Sequence, residues 1–473
     1  MADINLGVGG ANSATGGYEI DNSLKFESDN SEYLERTQGT PDSRKTGSVS
    51  FWIKRTEIST SSVQFAFEAG NTDNDNGRLF LRFQTDDTLR IGGGSTVFRN
   101  TTQVFRDTSA WYHILFVMDT TQSTADDRIK LYVNGSQVTD FGTKNNFSQN
   151  DLTGINYQKL SWGRSHVDSS AYSNMYLAEA VTLDGVAASP TDFGEFDSDS
   201  GIWIPKDLSN LTFGSEGTYL DFSSSSDLGN DVSGNNNDFG TLGNIAAADQ
   251  AVDTPTNNFC TLNPLMGDNN APTITEGATK ATGGGGTWNK AYGTQGVKNG
   301  KWYWEMKVTN TSSSGYFGAT TTPAENSELQ DAQIAYNTSA WAGNPSRIDY
   351  YYWQNGSQVS NESTGWGTLS NNDILGVAID LDASTKTIAF YKNGTLLSGT
   401  TSNPQNLPTN MQDEFIFPFY AQYENRQDEL NFGGYTTSSI SSAASDANGY
   451  GNFEYAPPAG YYAICTKNLA EYG

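Results

Sequence analysis

The 473-residue sequence predicts an all-β chain folded as two antiparallel β-sandwiches in tandem. Three observations lead there. One phrase occurs twice: residues 129–138 read IKLYVNGSQV and residues 388–397 read IAFYKNGTLL. Each is an alternating strand with a Tyr, an Asn-Gly pair and a second short strand. Asn-Gly favours a two-residue type I′ hairpin, because both central residues need positive φ. The copies stand too far apart for a solenoid and imply two related domains. Next, no long segment keeps a 3.6-residue apolar period, whereas short alternating runs are bounded by Gly, Asn, Ser and Thr. Finally, the length exceeds what one hydrophobic core serves.

The elements follow in order. Residues 1–19 are small and polar, an expected flexible arm. Strands begin near Phe26. In residues 47–55 (GSVSFWIKR), Val49, Phe51 and Ile53 face one way. Residues 65–68, 79–83 and 88–91 read as further strands, with a tight turn at Asp73-Asn74-Asp75-Asn76-Gly77. Residues 111–118 (WYHILFVM) are apolar at nearly every position, as a strand covered on both faces requires. Residues 175–183 complete a first domain expected over 20–222. Residues 223–257 are turn-rich and read as a connection. The second domain is expected over 258–473. In its strand 300–308 (GKWYWEMKV), Trp302 and Trp304 lie on one face and Tyr303 on the other. Residues 373–382, 387–391, 415–420 and 429–433 continue it. Asn258–Asn263 and Tyr461–Thr466 share a Cys-Thr-x-Asn phrase, and the two segments are expected to lie side by side and close this domain.

Charge and cysteine content narrow the function. Lys and Arg number 27 against 54 Asp and Glu, a net charge of −27. Such a chain repels nucleic acid and anionic membranes. No apolar run approaches a membrane span, and residues 1–17 lack the basic start and apolar stretch of a signal peptide. Cys260 and Cys465 form no disulfide framework and no metal-ligand spacing, and are expected as buried thiols.

The run SVSFWIKR, then Trp111-Tyr112-His113-Ile114, then LYVNG and MYLAEA resembles the laminin-G-like (concanavalin-A-like) jelly roll over about residues 20–222. The phrases GKWYWEMKV, GYFGA, DILGVAIDLD, the Asn393-Gly394 turn, FIFPFY and ELNFG, in that order, resemble the SPRY domain over about residues 280–435. An Asn- and Ser-rich insertion around 320–365 departs from that family's spacing. The phrases DTPTNNFCTLNPL and GYGNFEYAPPAGYYAICTKNLAEYG, with the MADINLG start, resemble structural proteins of tailed, especially marine, bacteriophages. That resemblance implies a virion protein assembled in the host cytoplasm.

Catalysis finds little support in the residues. Glu195, Asp197 and Asp199 superficially match a glucanase Glu-x-Asp-x-x-Glu pattern, but Ser200 stands where the last carboxylate belongs. The only histidines are His113 and His166, and no nucleophile elbow exists. No catalytic residue is assigned, and His113 is expected to be a core or hydrogen-bonded side chain. Asp73 and Asp75, and separately Asp231 and Asp238, lie in Asp/Asn-rich turns that offer oxygen ligands for Ca²⁺, the one cofactor considered. Trp341, Tyr351, Tyr352, Trp353 and Trp366 lie in a polar, loop-rich region, where aromatic rings stack on sugars or anchor a protein contact.

The expected function is a non-enzymatic virion appendage protein, such as a tail fibre or knob. It would adhere to a host-surface glycan or protein, or dock within the particle. Its expected partners are other virion proteins and further copies of itself, the small-residue arm helping to hold the oligomer. The alternatives are a capsid or tail decoration protein without a receptor role, and a glycan-degrading enzyme.

Overall fold

The computed structural model describes residues 17–266, 271–286, 288–311, 313–321, 332–337, 347–354, 357–361, 364–424, 426–437 and 439–473. They divide into two compact units, one ending at Thr256 and the other spanning 257–473. Each is a sandwich of two antiparallel sheets, and the fold is all-β apart from short helical turns and one helix, Thr466–Tyr472.

In the first unit, one sheet runs in the order Ser136–Gln137, Ile129–Val133, Tyr112–Asp119, Thr46–Arg55, Met175–Asp184, Ser23–Phe26 and Gln250–Ala251. The facing sheet runs Phe141–Lys144, Val97–Val104, Thr88–Gly92, Arg78–Phe83, Gln64–Gly70, Lys159–Trp162, Tyr33–Thr37 and Thr241–Gly243. Trp162 is central to the core, with Phe51 at 5.4 Å and Phe67 at 4.9 Å. Within strand Tyr112–Asp119, residues 114–118 are all apolar because both faces are covered. Ile114, Phe116 and Met118 point into the core. Leu115 and Val117 pack under Phe193, Leu208 and Phe213.

The segment read as a connection, 223–257, is built into the first unit up to Thr256. Thr241–Gly243 pairs with Tyr33–Thr37, and Gln250–Ala251 pairs with Ser23–Phe26. Asp253 is fixed by buried charge: its Oδ2 lies 2.7 Å from Lys54 Nζ, and its Oδ1 accepts from Trp111 Nε1 at 3.0 Å. A buried ammonium needs such a partner, so this loop is structural despite its polar composition. Of the expected arm, residues 17–19 are described. Tyr18 donates its hydroxyl to Glu179 at 3.2 Å.

In the second unit, one sheet runs Thr273–Thr275, Lys280–Thr282, Gln427–Asn431, Lys301–Val308, Ile374–Asp380, Thr387–Lys392 and Thr395–Leu396. The other runs Trp288–Tyr292, Phe417–Tyr423, Gly315–Thr320, Ala332–Asn337, Ile348–Gln354 and Ser357–Asn361. The region read as an Asn- and Ser-rich insertion therefore contributes three strands to this sheet.

Both Asn-Gly turns have the expected geometry, with φ of 47° and 74° at Asn134 and Gly135, and 48° and 74° at Asn393 and Gly394. The turns share a further device. The Asn134 side chain accepts from His113 N, and the Asn393 side chain from Ile374 N, both at 2.8 Å. Each amide oxygen thus ties the turn to the end of the strand beside it.

The two Cys-Thr segments do lie together. Phe259 and Cys465 form an antiparallel bridge, Cys260 N donates to Ile464 O at 2.9 Å, and Thr466 N donates to Asn258 O at 2.9 Å. Phe259, Phe453, Ala463 and Cys465 cover Tyr303 on the outer face of Lys301–Val308. Trp302, Trp304 and Met306 enter the inter-sheet core on its other face. Both cysteines are buried free thiols.

Candidate functional site

Strand Ile348–Gln354 sorts the predicted aromatics by the two-residue period of a β-strand. Tyr350 and Tyr352 point inward, where Tyr350 packs 5.9 Å from Trp366. Trp366 is only 4% exposed, and its indole N–H donates to Thr401 O at 3.1 Å. It is a core residue. Tyr351 and Trp353 take the opposite face of the sheet. Trp341 lies outside the described residues.

On that outer face the sheet gathers aromatics from four strands. Trp288 stacks on Tyr316 with ring centroids 4.1 Å apart and planes 10° from parallel. Tyr316 meets Trp353 at 5.5 Å and Tyr351 at 6.3 Å, and Trp288 meets Tyr423 at 5.6 Å. Trp288, Tyr316, Trp353 and Tyr423 are half-buried, so each keeps surface open to solvent. Buried Tyr292, Phe419 and Ile334 support them from the same face. Trp288, Tyr316 and Tyr423 were not singled out in the sequence. The signal lay in the alternation of Trp288 with Tyr292, but the pairing of distant strands was needed to bring these rings to Trp353. The band is an apolar, flat-walled surface with polar ring edges, suited to stacking rather than to bond cleavage.

The four aspartates considered for Ca²⁺ use their oxygens internally. Asp73 is exposed and pairs with Arg78 at 2.8 Å. Asp75 accepts from Ser95 N, Thr96 N and Thr96 Oγ1, which locks its turn to the neighbouring loop. Asp231 accepts from Tyr219 N, Ser233 N, Ser233 Oγ and Asn237 N, at 2.8 to 3.0 Å. Asp238 accepts from Asp231 N at 2.9 Å. Among the described residues, no group of three or more His, Cys, Asp or Glu side chains is placed to hold a metal ion. Ca²⁺ takes six to eight oxygens. Asp75 does border an open cleft of about 490 Å³ with Asn74, Asn76, Thr96, Asn146, Ser148 and Asp151, floored by stacked Phe98 and Phe147.

The remaining titratable candidates sit in structural roles. His113 accepts from Trp203 Nε1 at its Nδ1 (3.1 Å), so its Nε2 carries the proton and donates to Ser50 Oγ (2.9 Å). Burial pushes its pKa down to about 3. His166 is bonded by Ser161 Oγ at Nδ1 and by the Gly70 carbonyl at Nε2. Glu195 lies on a surface hairpin and pairs with Lys206 at 3.2 Å, while Asp197 accepts from the backbone of its own turn. Among the buried carboxylates that escaped sequence reasoning, two have pKa values pushed up to about 7. Glu179 sits at a bulge with φ +48°, accepts from Tyr219 Oη at 2.7 Å and has its pKa pushed up to about 7 by burial. The gap it shares with Ser50, Trp52 and His113 leaves no room for a water molecule. Glu305 accepts from Glu454 N and Tyr455 N, both at 2.9 Å, and from Tyr303 Oη at 3.0 Å. Burial pushes it to about 7 also.

Comparison with known families agrees with this architecture. The family model of the concanavalin A-like lectin/glucanases superfamily, of laminin G type, matches residues 28–181, and that of the SPRY domain matches residues 301–435. The chain carries a laminin G-like domain followed by a SPRY domain. Both resemble binding modules more than catalytic ones. No curated protein sequence matches the chain. Among solved structures, the SPRY domain of human HERC1 is 18% identical over 36% of this chain and 96% of its own, with a TM-score of 0.25. The native heptameric SAP-like pentraxin of Limulus polyphemus is 17% identical over 37% and 81%, with a TM-score of 0.28. Domains LG4-5 of the mouse laminin alpha1 chain are 10% identical over 93% and 96%, with a TM-score of 0.28.

Proposed function

We propose that this chain is a non-catalytic glycan-binding protein on a tailed-phage virion, carried on a fibre, knob or similar appendage and assembled there with copies of itself. The observation that carries the binding reading is the aromatic band of Trp288, Tyr316, Trp353 and Tyr423 on one sheet face. Sugar rings present C–H faces that stack on such rings, and the band repeats that surface across adjacent strands. The lectin-type family match of the first domain supports the same class of ligand. The net charge of −27 disfavours nucleic acid and favours a neutral saccharide at this face. Support for the virion comes from the phage-like phrases at 253–265 and 449–473. The binding test titrates neutral polysaccharide fragments of a host surface into the full chain and into Trp353→Ala. The location test is immunogold labelling of intact particles: decorated appendages are expected, and particles free of the protein refute that part.

A further inference from the structure

In a chain with twice as many acids as bases, an arginine without a counter-ion stands out. The buried Lys25, Lys54, Arg55, Arg78 and Arg426 each meet a carboxylate at 3.0 Å or less, and buried Arg99 and Arg128 instead donate to several backbone carbonyls. Arg82 meets no carboxylate among the described residues. It lies on the outer face of the first unit's second sheet, on strand Arg78–Phe83. Directly opposite it, on Thr88–Gly92, stands Arg90. Like charges in direct cross-strand register destabilise a sheet. The nearby carboxylates act on Arg82 only through their fields, because their direct ion pairs go to another cation. Glu68 and Asp168 are each held by Arg78 at 2.6 Å, and Asp73 by Arg78 at 2.8 Å.

The surroundings hold Arg82 in place without neutralising it. Its guanidinium lies 5.1 Å from the Phe65 ring centre and 4.7 Å from that of Phe80. Those rings attract the cation but accept no conventional hydrogen bond. Its Nε is buried without a partner. Phe80 reaches this position because residue 92 is glycine: a Cβ there would meet the ring at 2.4 Å. Arg90 is oriented by Nε donation to Asn100 Oδ1 at 2.9 Å, and Asn100 is its neighbour across the next strand pair. Desolvation first, and then the fields of Arg90 and Arg78, lower the Arg82 pKa, and the fields of Asp168 and Glu68 only partly offset them. The sheet thus presents two guanidinium-bearing side chains in direct cross-strand register, neither in an ion pair among the described residues.

We infer that Arg82 and Arg90 form an oxyanion site that takes a carboxylate or sulfate group between them. The chemistry follows from the fork geometry of guanidinium, which pairs with planar and tetrahedral oxyanions through two parallel N–H donors. The source is either an acidic sugar or a free inorganic anion. This site is independent of the aromatic band in the second unit.

The test is calorimetric titration of the full chain with three probes: galacturonate, inorganic sulfate and neutral galactose. Galacturonate or sulfate is expected to bind, and the tighter of the two identifies the source. Galactose is expected to leave this site empty. Hydrogen bonds to charged groups are worth about 1.5–3 kcal/mol, so Arg82→Gln is expected to weaken the anion by about tenfold or more. Arg90→Gln, at the less enclosed partner, gives the same readout if Arg82→Gln fails to fold. Saccharide binding that depends on Trp353 is expected to survive both changes, which separates failure here from failure of the glycan reading. Absence of binding by either anion, or equal affinity in wild type and both variants, overturns the inference.

Discussion

Raising the pH through neutrality is expected to destabilise the second unit through Glu305. Its pKa rises from 4.5 to about 7 because burial penalises the charged form more than its hydrogen bonds favour it. The sign follows from linkage. A group whose folded pKa is raised contributes stability that is fully present below pH 4.5 and is lost as pH rises through about 7. At about 1.4 kcal/mol per pH unit, the loss approaches about 3 kcal/mol. The second unit gives the cleaner readout because both histidines, His113 and His166, lie in the first, and their lowered pKa values act in the opposite direction. Asp373 and Asp380, with lowered pKa values, act below their ordinary value of 3.8, outside the window, whereas Asp428, raised by burial on the neighbouring strand, acts in the same direction as Glu305. Hydrogen exchange of strand Lys301–Val308, measured from pH 5 to pH 8.5 and corrected for the intrinsic rate, reports the local stability. Glu305→Gln copies the protonated form and is expected to make the profile shallower, with Asp428 left as the remaining raised carboxylate. A wild-type profile that is flat, or a slope undiminished in Glu305→Gln, refutes the reasoning.

Three further outcomes follow from packing. Gly135→Ala places a methyl 2.2 Å from the Trp203 ring, which is buried and held by His113, whereas Gly394→Ala meets the half-buried Tyr455 at 2.6 Å. Left-handed backbone costs either alanine about 1–2 kcal/mol, and overpacking adds about 1–3 kcal/mol only where the ring cannot yield. Denaturant midpoints are therefore expected to fall further for Gly135→Ala, and equal losses count against this account. Removing residues 456–473 deletes Ile464, Cys465 and Leu469 from the second unit and is expected to melt that unit while the first keeps its transition. Unchanged two-step melting of the truncated chain contradicts it. Trp366→Ala is expected to cost about 3–5 kcal/mol as a core deletion, which thermal or denaturant unfolding checks directly.

Much of the fold was legible because strand chemistry is local. The paired Asn-Gly turns, the two-faced apolar strand around Ile114–Phe116 and the Trp302–Tyr303–Trp304 alternation each carry their meaning in adjacent residues. The Cys-Thr segments could be placed because one phrase recurs. Residues 223–256 read as a connection because their burial rests on single side chains, Asp253 above all, set in a polar turn-rich background. Helix Thr466–Tyr472 is too short to show a period. The site was half legible. Composition marked Tyr351 and Trp353 as aromatics in a polar region, but which of Tyr350–Trp353 face outward depends on register, and Trp288 and Tyr316 join only through sheet order. The aspartates of 73–77 and 231–238 looked like ligands because turn-forming and cation-binding carboxylates share one composition; only their bonded N–H partners distinguish them.

The central claim is that the outer aromatic face of the second unit binds saccharide. The most direct measurement is calorimetric titration of one neutral host-surface oligosaccharide into wild type, Trp353→Ala and the double variant Trp288→Ala/Trp353→Ala, with folding checked by circular dichroism. Loss of one stacking ring is worth about 0.5–1.5 kcal/mol, so Trp353→Ala is expected to bind about two- to tenfold more weakly, with further loss in the double variant. Oligosaccharide affinity that is the same in all three folded proteins, or no saccharide binding by the wild type, contradicts the account.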